Sequence, residues 1–337
     1  MLAGSTGLKA ADITLVPLPA GGAIGRRAAA SAGYLEQAAR IAMALSPRPV
    51  QMIWSREEDF AQGTYRPALA TRLRGVLDAD GRPLAWSQVY VDNPGVNDRS
   101  TAFAVPYASP TLSVRSIALA PHVRVGTWRS VAHSQYGFWT ESFIDELAHA
   151  AGQDPVRYRR DLLPAGSRHR RVLETAAAKA GWGEPLAAGV GRGIAMVESF
   201  GTIVAHVVEA SLDAGGVPRV HRVIAAVDCG QVCHPDTAAA QVEGAIVMGL
   251  SSAIAEEVTI ASGKVAQRNF PDYPILDLAR TPPRIDVHFL PGDGWGGLGE
   301  PGLPPVAPAL ANALFVATGR RLRSLPLVNA LRGDTAG

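Results

Sequence analysis

Gly297-Leu-Gly-Glu-Pro-Gly-Leu-Pro-Pro305 is the stretch on which the reading of this chain turns. It follows an apolar run, Ile285-Asp-Val-His-Phe-Leu290, that reads as a strand, and precedes a helical pattern from about Ala307 to Gly319. Together with Gly294 and Gly296 it also fits G-x-G-x-x-G up to Gly299, the spacing of a dinucleotide-binding turn. In such a turn the third glycine already opens the helix whose N-terminus holds a pyrophosphate. Here Glu300, Pro301, Pro304 and Pro305 intervene. The prolines stop a helix from running through, and a carboxylate beside a pyrophosphate would repel it. The dinucleotide reading fails there. What remains is an acid in a stiff turn, with Pro301 fixing the backbone after it and glycines before it permitting close approach of another backbone or a ligand. Two readings of Glu300 stay open. One is a solvated turn acid; the other is a carboxyl held among Trp295, Leu298 and Leu303, its pKa raised so that it serves as a base near neutral pH.

Outward from this turn the periodicity alternates between strand and helix. Ile13–Leu18 reads as a strand entering the glycine turn Ala20–Arg27 and the helix Tyr34–Leu45, which Pro47 and Pro49 end. Val50–Trp54 reads as a short strand, and Ser55 with Glu58 has the spacing of a capping box. Thr71–Leu77 and Leu84–Val91 form a hairpin pattern around Asp78–Pro83. Residues from about 92 to 120 read as polar and irregular, and Val131–Gly152 as a long helix. Gly181–Pro185 is a loop cluster, Ile203–Leu212 and Val217–Asp228 are paired strands, and a helix follows from about Pro235 to Ala255. The pattern is α+β with mixed sheets, in two units, residues 1–145 and 146–330.

Composition agrees. A chain of 337 residues, 47% hydrophobic and 18% charged, is long enough for about two domains with real cores. Its 35 glycines and 25 prolines demand many turns and loops. A net charge of +2 argues against a nucleic-acid partner held by a basic face. The two cysteines cannot fill a four-ligand zinc site alone. Cys229 and Cys233 read as two buried thiols, the alternative being a metal pair with His234. The most apolar run, Gly244–Ala255, is short of the roughly 20 residues a membrane span needs. Met1–Asp12 has no basic leader before a hydrophobic run, so the expectation is a chain without its own signal peptide, cytoplasmic or carried to the periplasm by a partner.

The turn at Glu300 and the segment Ala309–Pro326 after it resemble the C-terminal motif of the molybdenum hydroxylases, the xanthine dehydrogenase and aldehyde oxidase family. In style they are similar to the molybdopterin-binding large subunits of the isoquinoline 1-oxidoreductase, nicotinate dehydrogenase and aldehyde dehydrogenase group. Four further segments resemble that group in order: Gly21–Arg27, Gly126–Gln135 with Glu141–Leu147, Val227–Pro235 with Gln241–Gly244, and Asn269–Pro274. The resemblance implies paired α+β molybdopterin domains, the first incomplete at its N-terminus, with molybdopterin cytosine dinucleotide and molybdenum as cofactor. It implies that Glu300 is the general base that activates a molybdenum-bound hydroxyl. Gly22 and Gly25 would bring backbone N–H groups to the cofactor, Trp128, Arg129 and Ser130 would meet it, with Gln135 ending that loop, Gln241 would hydrogen-bond the pterin, and Gly299, just before the base, would also bind the cofactor. The substrate would be an aldehyde or aromatic N-heterocycle. Electrons would leave through a subunit with two-iron two-sulfur clusters, with a c-type cytochrome as a further candidate acceptor.

The sequence departs from the family in three ways. Ala23-Ile24 stands where Gly-Phe is preferred, placing a Cβ where positive φ is expected, and His234 stands where an Asn usually precedes the proline. Family large subunits also extend well beyond this length, so a partner chain supplying the missing N-terminal half is expected. A non-catalytic remnant or assembly module of the same fold is the alternative.

Overall fold

The computed structural model describes residues 1–19, 24–25, 33–93 and 105–333. In chain order the elements are α1 Leu2–Thr6, α2 Gly33–Ala44, α3 Arg56–Gln62, β1 Ala70–Leu77, β2 Pro83–Asp92, β3 Thr111–Ala118, α4 His133–Ala150, α5 Pro155–Asp161 and α6 Arg168–Lys179. There follow β4 Gly191–Ser199, β5 Thr202–Leu212, β6 Pro218–Asp228, α7 Pro235–Ile254, β7 Ile260–Ala261, β8 Lys264–Val265, β9 Ile285–Phe289, α8 Val306–Thr318 and α9 Leu327–Arg332. They fall into two units. The smaller is assembled from Met1–Pro67, Pro121–Trp128 and Val258–Tyr273; the larger holds Ala68–Ala120, Arg129–Glu257 and Pro274–Gly337.

In the smaller unit, local chemistry sets the helix ends. The Ser55 side chain accepts from the Glu58 N–H at 3.2 Å and so caps α3. Arg56 lies over the Phe270 ring at 4.6 Å, and Phe60 meets Tyr273 edge-on at 5.5 Å, which ties α3 to the 258–273 segment. The strands expected at Ile13–Leu18 and Val50–Trp54 do not form. Pro17 and Pro19 lack the N–H a ladder needs, and Leu15, Val16 and Leu18 are 63%, 70% and 80% exposed, so no buried face stabilises an extended pairing.

In the larger unit, β1 and β2 form the expected antiparallel hairpin, its turn closed by Asp78 Oδ1, which accepts from the N–H groups of Asp80 and Arg82. The segment expected to be irregular instead supplies β3, parallel to β2. Thr111–Ala118 does alternate, but both its faces are largely exposed and half its residues are polar, which mutes the pattern. Trp86 and Tyr90 of β2 are buried against α4, with Trp86 edge-on to Phe143 at 4.7 Å. The second sheet runs β4-β5-β6-β9, antiparallel except for the parallel β6–β9 pair. Both its faces are buried: Val204, Val208 and Val223 pack with α7 and α8, while Ile203, Val207 and Ile224 pack with Ile144 of α4 and Leu173 of α6. Two-sided burial explains why β5 reads as a continuous apolar run. Among the described residues α7 is the one helix long and apolar enough to cross a membrane, and half of that window is buried, with Val242, Ile246 and Leu250 in the core.

Ions hold this core as well. Arg159 is fully buried; it donates to Glu141 Oε2 at 3.0 Å and to Asp145 Oδ1 at 3.3 Å. Tyr107 donates to Glu141 Oε1 at 2.7 Å, the Met196 N–H reaches Glu141 at 3.0 Å, and Arg321 joins Asp145 at 2.6 Å. Burial works against the Arg159 charge, but Glu141, Tyr107 and Asp145 more than offset it and hold its pKa above the ordinary value. Removing one member strands the others, so Arg159→Met is expected to cost about 3–5 kcal/mol in urea unfolding. A change below about 1 kcal/mol would show that the cluster holds nothing.

His206, in the middle of β5, is also fully buried, and neither ring nitrogen has a hydrogen-bond partner among the described residues. Burial pushes its pKa down to about 3. The depressed folded value means that the unfolded chain takes up the proton first. Stability is therefore complete above about pH 6.5 and falls by roughly 1.4 kcal/mol per unit as pH drops toward 3. His206→Leu is expected to flatten this slope in chemical unfolding followed from pH 7 to 4.

Candidate functional site

The Glu300 turn is held along its backbone. Gly230 and Trp295 form an isolated antiparallel bridge, the Gln231 N–H donates to Gly294 O at 2.9 Å, and the Gly296 N–H donates to Cys229 O at 2.8 Å. The Gly297 N–H donates to Phe200 O at 2.9 Å, and Thr202 Oγ1 donates to Gly297 O at 2.6 Å. A Cβ on Gly296 would sit 2.2 Å from Thr202 Oγ1, so only glycine allows this approach. Beyond it, Arg129 Nε donates to Gly299 O at 2.8 Å and Ser130 Oγ to Glu300 O at 2.7 Å. The Arg129 and Ser130 bonds take main-chain carbonyls, while the Glu300 carboxylate faces the Ser130 N–H.

Arg129 is 5% exposed and also donates to Gln241 Oε1 at 3.0 Å, so Arg129, Gln241 and Gly299 are brought together. Burial lowers the Arg129 pKa, and the Glu300 charge pulls it back. Burial raises the half-buried Glu300, opposed by the Ser130 N–H and by the charge of Arg129. The neighbours expected around the acid are only partly present: Leu303 is buried and Leu298 half-buried, but Trp295 is 67% exposed. Ser130 and Val131 have φ of 73° and 47°, and Phe200 has 51°. Non-glycine residues seldom adopt such values, and here Ser130 and Phe200 each touch the Glu300 turn.

The other expected site residues are more scattered. Gln135 is half-buried in the first turn of α4, accepting from Ser134 Oγ at 3.3 Å. Gly22 lies outside the described residues. In the smaller unit Gly25 is buried with φ of 84°, and a Cβ there would lie 2.4 Å from Thr127 O. Thr127 Oγ1 donates to Gly25 O at 2.7 Å, and the Trp128 ring carries the Arg66 guanidinium at 4.3 Å. Ile24 takes φ of 47°, the strain expected for a Cβ in this turn.

Cys229 is buried, with burial raising its thiol pKa, but Cys233 is exposed, which corrects the expectation of two buried thiols. His234 instead caps α7, its Nδ1 accepting from the Thr237 N–H at 3.2 Å, the service an Asn would give. No group of three or more His, Cys, Asp or Glu suited to a metal occurs among the described residues. Two cavities in the larger unit are not lined by Glu300: one of about 100 Å³ includes His133, His169 and Glu198, and one of about 500 Å³ includes Arg168 and Arg171.

Asp228 escaped the sequence reading. Its buried carboxylate takes Arg168 at 3.0 Å and Arg171 at 2.8 Å, fixing the end of β6 just before the Cys229–Gln231 anchor of the turn. Burial pushes its pKa up, and the two guanidiniums outweigh that and lower it. An acid closing an apolar strand was the available signal.

Family profiles for the molybdopterin cofactor-binding domain match residues 1–163 and 163–282. The beta subunit of the isoquinoline 1-oxidoreductase of Brevundimonas diminuta is 33% identical across 98% of this chain and 44% of that protein. The chain belongs to the molybdenum hydroxylase family. Within the family, the membrane-bound aldehyde dehydrogenase of Gluconacetobacter polyoxogenes is 31% identical across 93% of this chain and 46% of its own length. A nicotinate dehydrogenase subunit of Pseudomonas putida is 30% identical across 94% of this chain and 30% of its length. The chain thus spans less than half of these relatives. Quinoline 2-oxidoreductase of Pseudomonas putida 86 shares the fold at a TM-score of 0.80 and 14% identity, across 93% of this chain and 68% of that one.

The strain at Ile24 is open to test. Ile24→Gly is expected to stabilise the chain by about 1 kcal/mol, because glycine adopts positive φ freely and a side chain 44% exposed gives up little burial. A loss of stability in thermal unfolding would show that the isoleucine is packed rather than strained.

Proposed function

We propose that this chain is the molybdenum-cofactor-binding part of an oxidoreductase that hydroxylates an aldehyde or an aromatic N-heterocycle with oxygen derived from water. The observation that supports it most is Glu300: a half-buried carboxyl with a raised pKa, in a turn fixed by its backbone, next to a buried arginine. A general base needs that combination of position and pKa.

The residues of the larger unit suit a pterin. Gln241 Oε1 takes Arg129, leaving its amide N–H groups to donate, and the Gly299 position is open, with no atom within 4 Å of a would-be Cβ. Arg129, Ser130, Gln135, Gln241 and Gly299 would hold the cofactor there; Gly22, Gly25 and Trp128 are the smaller unit's proposed contacts. When bound, the cofactor supplies the redox chemistry, in our reading as molybdopterin cytosine dinucleotide. Glu300 receives a proton on its carboxylate as the substrate is oxidised, while Arg129 limits how far burial raises its pKa. Electrons would pass to a partner subunit with two-iron two-sulfur clusters, or onward to a c-type cytochrome, and a further polypeptide would supply the part of the large subunit outside this chain. The strained Ile24 favours the alternative of a remnant that binds no metal. Molybdenum analysis of the assembled complex separates the two.

Glu300→Gln keeps shape and hydrogen bonding but cannot take the proton. Turnover per bound molybdenum is expected to fall roughly 10²–10⁴-fold, with molybdenum content and thermal stability unchanged. Near-wild-type turnover would remove Glu300 from the mechanism.

A further inference from the structure

The larger unit leaves one sheet face uncovered by its helices. The register of β1-β2-β3 places Arg72, Arg74 and Val76 of β1, Val89 of β2, and Arg115 and Ile117 of β3 on the face opposite α4. Arg72 and Arg115 both pair with Val89, so two guanidinium stems flank one valine, with Cα atoms about 10 Å apart across two strand spacings. All three arginines are exposed, and none has an ion pair or hydrogen bond among the described residues. Other arginines of this unit behave differently: Arg192, Arg222, Arg321 and Arg323 each sit on a carboxylate at 2.6–2.7 Å. In a chain of net charge +2 the three free cations are a local excess. Between them Val76 and Ile117 are 55% and 56% exposed. β3 is an edge of the sheet, and its outer row of backbone N–H and C=O groups has no strand beside it among the described residues.

Cations, aliphatic side chains and a free edge together fit an acidic polypeptide laid along β3. A second copy fits poorly, because a two-fold pairing would set the three arginines against themselves. The relatives supply a source, since more than half of each lies outside its match to this chain. We propose that this face and the β3 edge are covered by an acidic, strand-forming segment of the polypeptide that carries the rest of the large subunit. This rests on the partner-dependent reading above and names the surface.

The test pairs the full chain with one defined probe: the part of the beta subunit of Brevundimonas diminuta isoquinoline 1-oxidoreductase outside its match, made as a separate polypeptide. Binding is followed by sedimentation and by amide exchange. A complex that slows exchange across 111–118, weakens with added salt and loses roughly tenfold or more in affinity in R72E/R74E/R115E supports the proposal. The triple variant should keep the wild-type melting temperature, since its side chains are exposed. A complex of unchanged affinity in that variant, or protection elsewhere, overturns the surface and leaves the partner reading standing. No complex at all overturns both. Self-association of the chain that the triple substitution abolishes would assign the face to a second copy and overturn the proposal.

Discussion

Arg159 is fully buried between Glu141 and Asp145, and much of the larger unit is arranged around that fact. Both acids lie on α4; the arginine comes from α5, the Met196 amide from β4 and Arg321 from beyond α8. One ionic cluster therefore fixes α4 against three other parts of the unit. Taking these charges from water costs several kcal/mol for each ion, which is offset only because every one finds a partner. The residues just before α4 are Arg129 and Ser130, the two that grip the Glu300 turn. The cluster thus sets the place from which the turn is held.

At the turn itself the division of labour is clear. Its main-chain groups make the bonds that hold the turn, while the acid side chain meets the Ser130 N–H and the Arg129 charge, so the carboxylate's proton affinity is set by its surroundings. Positive φ at Ser130 and Phe200 shows the cost, of order 1–3 kcal/mol at each such residue, that the rest of the unit must over-determine. A solvated acid in a mobile loop would need neither the grip nor the strain.

Much of this was legible in the sequence, for physical reasons. The strands β5 and β6 and the helices α4, α7 and α8 bury wide faces, and burial writes itself into periodicity. β3 was missed because its residues face solvent on both sides, so no apolar face marks it. The strand expected at Ile13–Leu18 failed for the converse reason, apolar residues without anything to pack on, while Val50–Trp54, half-buried at Val50, Met52 and Trp54, has no strand to pair with among the described residues. Glu300 stood out through the prolines and glycines around it, whereas Asp228 did not, because its meaning lies in Arg168 and Arg171 some sixty residues away. His234 looked like a departure from the family and proved to do the same work as an Asn at the helix end.

The smaller unit has a consequence for how the chain is made. Its first segment, Met1–Pro67, is completed only by Val258–Tyr273, with Pro121–Trp128 contributed between. Contacts so far apart in sequence are slow to form, because long loops must close before they are rewarded. On the ribosome, at roughly 5–20 residues per second, the first segment must wait many seconds for the last. Through that interval Leu15, Val16 and Leu18, exposed even in the finished structure, stand open to whatever else is near. The order of synthesis therefore leaves this segment without its packing partners until Val258–Tyr273 has been made.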